Sequence, residues 1–203
     1  MKSKRVDRRV QRTQQLLRSA LMSLIQEKGF EVLSVQDIID RANIGRATFY
    51  AHYDSKEDLL ASGIEGLRAS LQEQQRHALT TASRLEDRLF AFSHELFVHA
   101  NEHRTVFRSM VGKRSGAVIQ QLLQKMLVDL IRDEVRLLRP AAERTTAITE
   151  AFAQFIGGGL FGLLLWWGNG KMRMSVEEVD AVFRRLAIPA IGAVTRGSNE
   201  VER

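Results

Sequence analysis

SVQDIIDRANIGRATFYAHYDSKEDLL, residues 34–60, reads as two short helices joined by a tight turn, followed by the start of a third, longer helix. Ser34 opens the first with a capping box: its hydroxyl accepts the orphan N–H near Asp37, and the Asp37 carboxylate reaches back. Val35, Ile38, Ile39 and Ala42 recur at helical spacing and supply one buried stripe. Asn43-Ile44-Gly45 then punctuates the chain, since Asn and Gly both tolerate turn and cap geometry. Gly45 opens a helix of barely two turns in which Ala47 is small, Phe49 is apolar, and Arg46, Thr48, Tyr50 and His52 are polar. Ser55-Lys56-Glu57-Asp58 repeats the S-x-x-D cap ahead of Leu59 and Leu60. Two capped helices, the second of them short, polar and lightly packed, are how a helix-turn-helix offers side chains to a DNA major groove.

On the N-terminal side, Thr13, Leu16, Leu17, Ala20, Leu21, Leu24 and Ile25 fit one helical face without a gap, and Gly29 ends that helix. It completes a three-helix unit. Residues 1–33 hold eight Lys/Arg against three Asp/Glu, whereas residues 34–60 hold three against five. The sequence-independent attraction to phosphate is therefore expected from a basic arm, Lys2, Lys4, Arg5, Arg8, Arg9 and Arg12, and not from the helix-turn-helix itself. A basic tail alone reads as solvated; directly before a helix-turn-helix, phosphate or minor-groove contact is the better reading.

On the C-terminal side, the helix opened at Lys56 continues to about Thr80, and further helical patterns cover about 84–101, 104–111, 116–138, 141–168 and 175–196. Pro140 separates two of them, Ser175 with Glu178 caps the last, and Pro189 is expected to kink it. No alternating strand pattern occurs, so the fold class is all-α. The expected division is a DNA-binding domain over 1–60, arm included, and a larger helical domain over 61–203, to which the family resemblance given below assigns effector binding and dimerisation.

Composition narrows the class further. Hydrophobic residues make up 44% of 203 positions, there are two prolines, and there is no cysteine. Disulfides and thiolate metal sites are thereby excluded, and a reducing cytoplasm is permitted. The basic N-terminus lacks the apolar core of a signal peptide. The longest near-apolar run, Phe155–Trp167, spans 13 residues and is expected to be too short for a bilayer. Enzyme signatures are missing: no glycine-rich phosphate loop follows a strand, no nucleophile elbow occurs, and His94-Glu95 is followed by Val98 where a metalloprotease helix needs its second histidine. Glu95, His99 and His103 stand at i, i+4 and i+8, a spacing that suits metal ligands, but a solvated histidine cluster is the simpler reading. No cofactor, catalytic residue or metal is assigned.

The stretch ANIGRATFYAHYDSKEDLL, residues 42–60, resembles the recognition-helix segment of the tetracycline-repressor (TetR) family of bacterial transcription regulators. The likeness covers roughly residues 12–60, and the Thr-Phe-Tyr-x-His-aromatic-x-Ser-Lys-Glu-x-Leu string is specific because nearly every position has a structural role. Tyr53 stands where the family more often has Phe, and Gly45 where other members often place a hydroxyl. The resemblance implies that Arg46, Thr48, Tyr50 and His52 face the groove beside Gly45 and Ala47. Arg46 can fork onto guanine or clamp a phosphate, and Thr48 can touch a thymine methyl. Tyr50 and His52 would fix register on phosphates. Ser34 and Lys56 would offer phosphate-binding helix N-termini.

In such proteins the larger domain holds an inducer. A pocket region for a small apolar or aromatic effector is expected around Phe92, Leu96, Phe107, Met110, Met126, Phe152, Phe155 and Trp166. Residue by residue, plain core packing explains the same pattern. The resemblance further implies that the last two long helices pair across a two-fold axis as a four-helix bundle. Gly158 and Gly162, four apart, would permit a close helix approach; Phe161, Leu165, Val182, Phe183, Leu186 and Ile191 would supply apolar surface. A tight contact within one chain is the competing reading of the glycines. The expected function is a homodimeric, effector-released repressor on palindromic operator DNA, cytoplasmic and with no membrane partner. A helical DNA-binding or protein-interaction module without an inducer is the alternative.

Overall fold

Local signals in residues 29–60 translate directly into geometry. Gly29 takes φ 84° and its N–H reaches the Ile25 carbonyl at 2.9 Å, closing the first helix. Asn43 takes φ 52° as the left-handed C-cap of the second helix. Asparagine is among the few non-glycine residues that adopt this conformation readily. The computed structural model describes residues 3–82, 84–111, 117–138, 147–170 and 173–196. Among them the chain is all-α, with no strand.

The elements are α1 (Ser3–Lys28), α2 (Val35–Ala42), α3 (Arg46–Tyr50), α4 (Lys56–Thr81), α5 (Leu85–Arg88), α6 (Phe92–Glu102), α7 (Arg104–Val111), α8 (Ala117–Leu138), α9 (Ala147–Asn169) and α10 (Val176–Arg196). The expected basic arm is corrected: residues 3–12 are the opening turns of α1 and not a separate tail. The side chains of Lys4 and Arg5, all of Lys2, and Pro140 lie outside the described residues. The pattern over 84–101 is also broken, because Phe90 sits at φ 55° between α5 and α6. The helix α10 runs on through Pro189.

Two compact units form. The first is Met1–Gly66 with Thr105–Gln120, and the second is Leu67–Arg104 with Gln121–Arg203. In the first, Leu17, Leu21, Ile25, Ile38, Phe49 and Leu59 are at most 2% exposed and make the core under the helix-turn-helix. In the second, α10 packs on α6 and α9 around Phe90, Phe92, Phe97, Leu127, Ile131, Leu160, Trp167 and Phe183.

At 23 residues, α9 is long and apolar enough to cross a membrane, which corrects the expectation from its 13-residue apolar run. Ten of its residues, from Thr149 to Gly168, are nonetheless buried within the protein, as a core helix requires. Within the chain, the close helix approach falls on Gly157. A Cβ there would lie 2.9 Å from the Val128 Cα, while at Gly158, Gly159 and Gly162 it would meet nothing within 4 Å.

Candidate nucleic-acid interface

The expected recognition element, α3, is a five-residue helix with one buried side chain. Phe49 is fully buried, edge-on to Tyr50 at 5.3 Å between ring centroids and 6.1 Å from Tyr53. That anchor turns Arg46, Ala47, Thr48 and Tyr50 outward together, all exposed, Tyr50 by 44%. The Arg46 guanidinium lies 5.5 Å from the centre of the Tyr50 ring, one turn on, which aligns the two on one face. His52 is half-buried, its ring 6.3 Å from Tyr53. Gly45 supplies no side-chain cap, so the first N–H groups of α3 remain for solvent or a phosphate. Space does not demand glycine there, since a Cβ would meet only Thr48 Oγ1, at 3.8 Å.

The other expected DNA-facing groups are engaged within the protein. Ser34 N donates to Asp37 Oδ2 at 2.9 Å, Asp37 N donates to Ser34 Oγ at 3.1 Å, and Lys28 Nζ reaches Asp37 Oδ1 at 2.9 Å. The Ser34 hydroxyl and N–H, with Lys28, hold the Asp37 carboxyl well below the usual carboxylate range. A phosphate arriving at this helix end meets a carboxylate already in place. The expectation for Lys56 rests on the backbone N–H groups of its helix N-terminus; its side chain turns inward, Nζ donating to the carbonyls of Phe30, Glu31 and Leu33 at 3.0, 3.1 and 2.7 Å. An ammonium has three donors, so this side chain clamps the α1–α2 connection to the start of α4 and has none left for DNA.

Arg41 is likewise taken. It forks onto both Glu27 oxygens at 2.7 Å and pulls that carboxyl down to about 2. Arg18 reaches Ser62 O and Oγ at 3.4 Å. The exposed arginines that make no ion pair among the described residues include Arg8, Arg9, Arg12 and Arg46. These unpaired cations lie on the first turns of α1 and at the start of α3.

The second unit distributes the remaining candidates differently from the expectation. Phe92, Leu96, Met126 and Phe152 are packed core. Phe107 belongs to the first unit, and the Met110 side chain lies outside the described residues. Phe155 and Trp166 are 73% and 60% exposed, so they do not join the others around one interior space. A cavity of about 340 Å³ lies at the end of α9, lined by Trp166, Trp167, Asn169, Gly170, Arg173 and Met174. Of the residues assigned to a dimer face, Phe161, Phe183 and Ile191 are buried in the chain's own core. Leu165, Val182 and Gly158 are half-buried, while Gly162 and Leu186 are exposed.

Two buried acids escaped the sequence reading. Glu134 accepts from the Phe90 N–H at 2.6 Å and from Gln75 Nε2 at 2.8 Å, and so braces the left-handed Phe90. Burial pushes its pKa up to about 7, against the pull of those two hydrogen bonds and of Arg184. Asp180 is also raised by burial, opposed by its short hydrogen bond from Ser93 Oγ. The available signal was Glu134's place on the stripe Leu127–Leu130–Ile131 of α8.

A folded-state pKa above the ordinary 4.5 means the Glu134 contribution is fully present below pH 4.5 and lost as pH climbs through about 7. The loss is of order 3 kcal/mol at about 1.4 kcal/mol per pH unit. Glu134→Gln keeps an acceptor for Phe90, and the Gln75 amide can turn to accept from the new one. Urea unfolding at pH 5 and pH 8 is expected to show a smaller fall in stability for Glu134→Gln than for the wild type.

The geometry defines a helix-turn-helix DNA-binding protein. The profile described as "Bacterial regulatory proteins, tetR family" matches residues 17–62. That described as "Transcriptional regulator C-terminal region" matches residues 87–188, half of the chain. The chain belongs to the TetR family of bacterial transcriptional regulators. It is 43% identical over 65 residues to the uncharacterized HTH-type transcriptional regulator YxbF of Bacillus subtilis (strain 168), a match spanning 32% of this chain and 17% of that relative.

Solved structures share the fold. A TetR-family regulator from Syntrophomonas wolfei superposes with TM-score 0.71 at 18% identity, covering 88% of this chain and 94% of that one. A TetR regulator from Streptococcus agalactiae gives 0.62 at 24%, covering 91% and 98%. Thermus thermophilus FadR, a repressor solved with lauroyl-CoA, gives 0.62 at 20%, covering 86% and 93%.

Proposed function

We propose that this regulator is a homodimeric repressor of the cytoplasm that binds a palindromic operator through α3 and is released by a small apolar or aromatic effector. The observation that carries the DNA reading is the aligned, exposed Arg46–Tyr50 face fixed by buried Phe49. Arg46 would read a base edge or grip a phosphate, Thr48 would touch a thymine methyl or a phosphate, and Tyr50 and His52 would set register. Arg8, Arg9 and Arg12 would hold the backbone.

The dimer reading rests on the large apolar side chains left open on α9 and α10. Ile148, Phe155 and Trp166 lie on α9 and Leu186 on α10, each more than half exposed. On α9, Phe155, Gly159, Gly162 and Trp166 share one face at helical spacing, where a second copy can seat. One helix of five residues reads few base pairs, and two copies would read half-sites a helical turn or more apart. The effector would act by favouring a spacing of recognition helices that fits successive grooves poorly. The FadR likeness supports an apolar effector as a class.

A module without an effector is the second reading, favoured by the packed state of Phe92, Leu96, Met126 and Phe152. Footprinting on DNA upstream of the gene across a salt series separates the two at the level of DNA. A symmetric, sequence-specific footprint is expected. Salt-sensitive binding without sequence preference would favour the second reading.

A further inference from the structure

We propose that the last turn of α6 binds a first-row divalent transition cation, Zn²⁺ foremost, through His99, His103 and Glu102. The two histidines stand one turn apart on one helix face, with ring centroids 4.5 Å apart. One ligand atom from each of the three residues lies within 4.8 Å of the others. Tetrahedral Zn²⁺ with bonds of about 2.0–2.2 Å holds its ligands about 3.3 Å apart, so small side-chain rotations close the set. Glu95, the third candidate from spacing, is not in the cluster; Glu102, between the histidines in sequence, takes its place.

Chemistry selects the ion. Two imidazoles and one carboxylate suit Zn²⁺, Ni²⁺ or Cu²⁺, whereas Ca²⁺ and Mg²⁺ require an oxygen shell. His99 is half-buried and His103 is the helix C-cap, so both rings start from defined positions. Exposed Arg104 follows directly in sequence and works against the site through its charge. Three protein ligands leave a coordination position to water, which describes an exchangeable ion and not one on which folding depends.

The test titrates ZnCl2 into the untagged, full-length protein by calorimetry, with CoCl2 absorption reporting coordination geometry. One ion per chain is expected, with the visible bands of low-coordinate Co²⁺. His103→Ala, at an exposed position, and His99→Ala are each expected to weaken binding at least about tenfold. His77→Ala, exposed on α4, is expected to leave it unchanged, and circular dichroism checks that each variant is folded. Absence of saturable binding, or equal affinity in the His99→Ala/His103→Ala double variant, overturns the proposal and leaves a solvated histidine cluster.

Discussion

Phe49→Ala is expected to lower the stability of the first unit by about 3–5 kcal/mol, the usual cost of deleting a buried aromatic ring. Phe49 is fully buried and is the core anchor of a five-residue helix, with Tyr50 and Tyr53 leaning on it. A helix this short has no independent stability, so its orientation comes from tertiary packing alone. Small domains are stable by only about 5–15 kcal/mol, and the substitution removes a large part of that. Urea unfolding of the full chain reads it as an early loss of helix, accompanied by loss of DNA binding. A wild-type midpoint would mean that Phe49 does not anchor α3.

Gly157→Ala is expected to destabilise the second unit by about 1–3 kcal/mol even though alanine is the better helix former. The added methyl would lie 2.8 Å from Val128 Cγ2, 2.9 Å from Val128 Cα and 3.1 Å from Val128 N. A side chain can swing aside, but backbone cannot, so α8 and α9 must part. The gain in helix propensity, about 1 kcal/mol, offsets only part of this. Gly159→Ala and Gly162→Ala are the controls. They face open space within the chain and are expected to raise its stability by several tenths of a kcal/mol up to about 1. If that face seats a second copy, the same two substitutions weaken the dimer, which sedimentation measures. Higher stability together with weaker association is therefore expected.

Legibility in the sequence followed the range of the interactions. The capping box at Ser34, the left-handed Asn43 and the buried Phe49 were readable because each depends on neighbours within a few residues. The Lys56 clamp was not, because its carbonyl partners lie 23–26 residues upstream and nothing local marks them. The break at Phe90 escaped because periodicity does not register a non-glycine residue in the left-handed region, here held by Glu134 from 44 residues away.

On α9, apolar residues occur all round the helix, so spacing alone did not separate inward Phe161 from outward Phe155 and Trp166. The same ambiguity on α10 placed buried Phe183 beside exposed Leu186 in one expected surface. The charge count placed the excess of cations in residues 1–33. It missed that Arg41 and Lys56 are neutralised or saturated by their own chain.

Equilibrium binding of the Arg46→Ala/Tyr50→Ala double variant to the DNA footprinted by the wild type tests the central claim most directly. Both side chains are exposed, and only the Tyr50 ring meets the core, edge-on to Phe49, so the fold is expected to persist with a small drop in melting temperature. Specific affinity is expected to fall by at least tenfold, since a base-edge contact from Arg46 supplies about 1–3 kcal/mol of discrimination and loss of Tyr50 removes a register-setting phosphate contact. Weak, salt-sensitive binding through Arg8, Arg9 and Arg12 is expected to remain. Wild-type affinity and an unchanged footprint in a folded double variant would contradict α3 as the reading element.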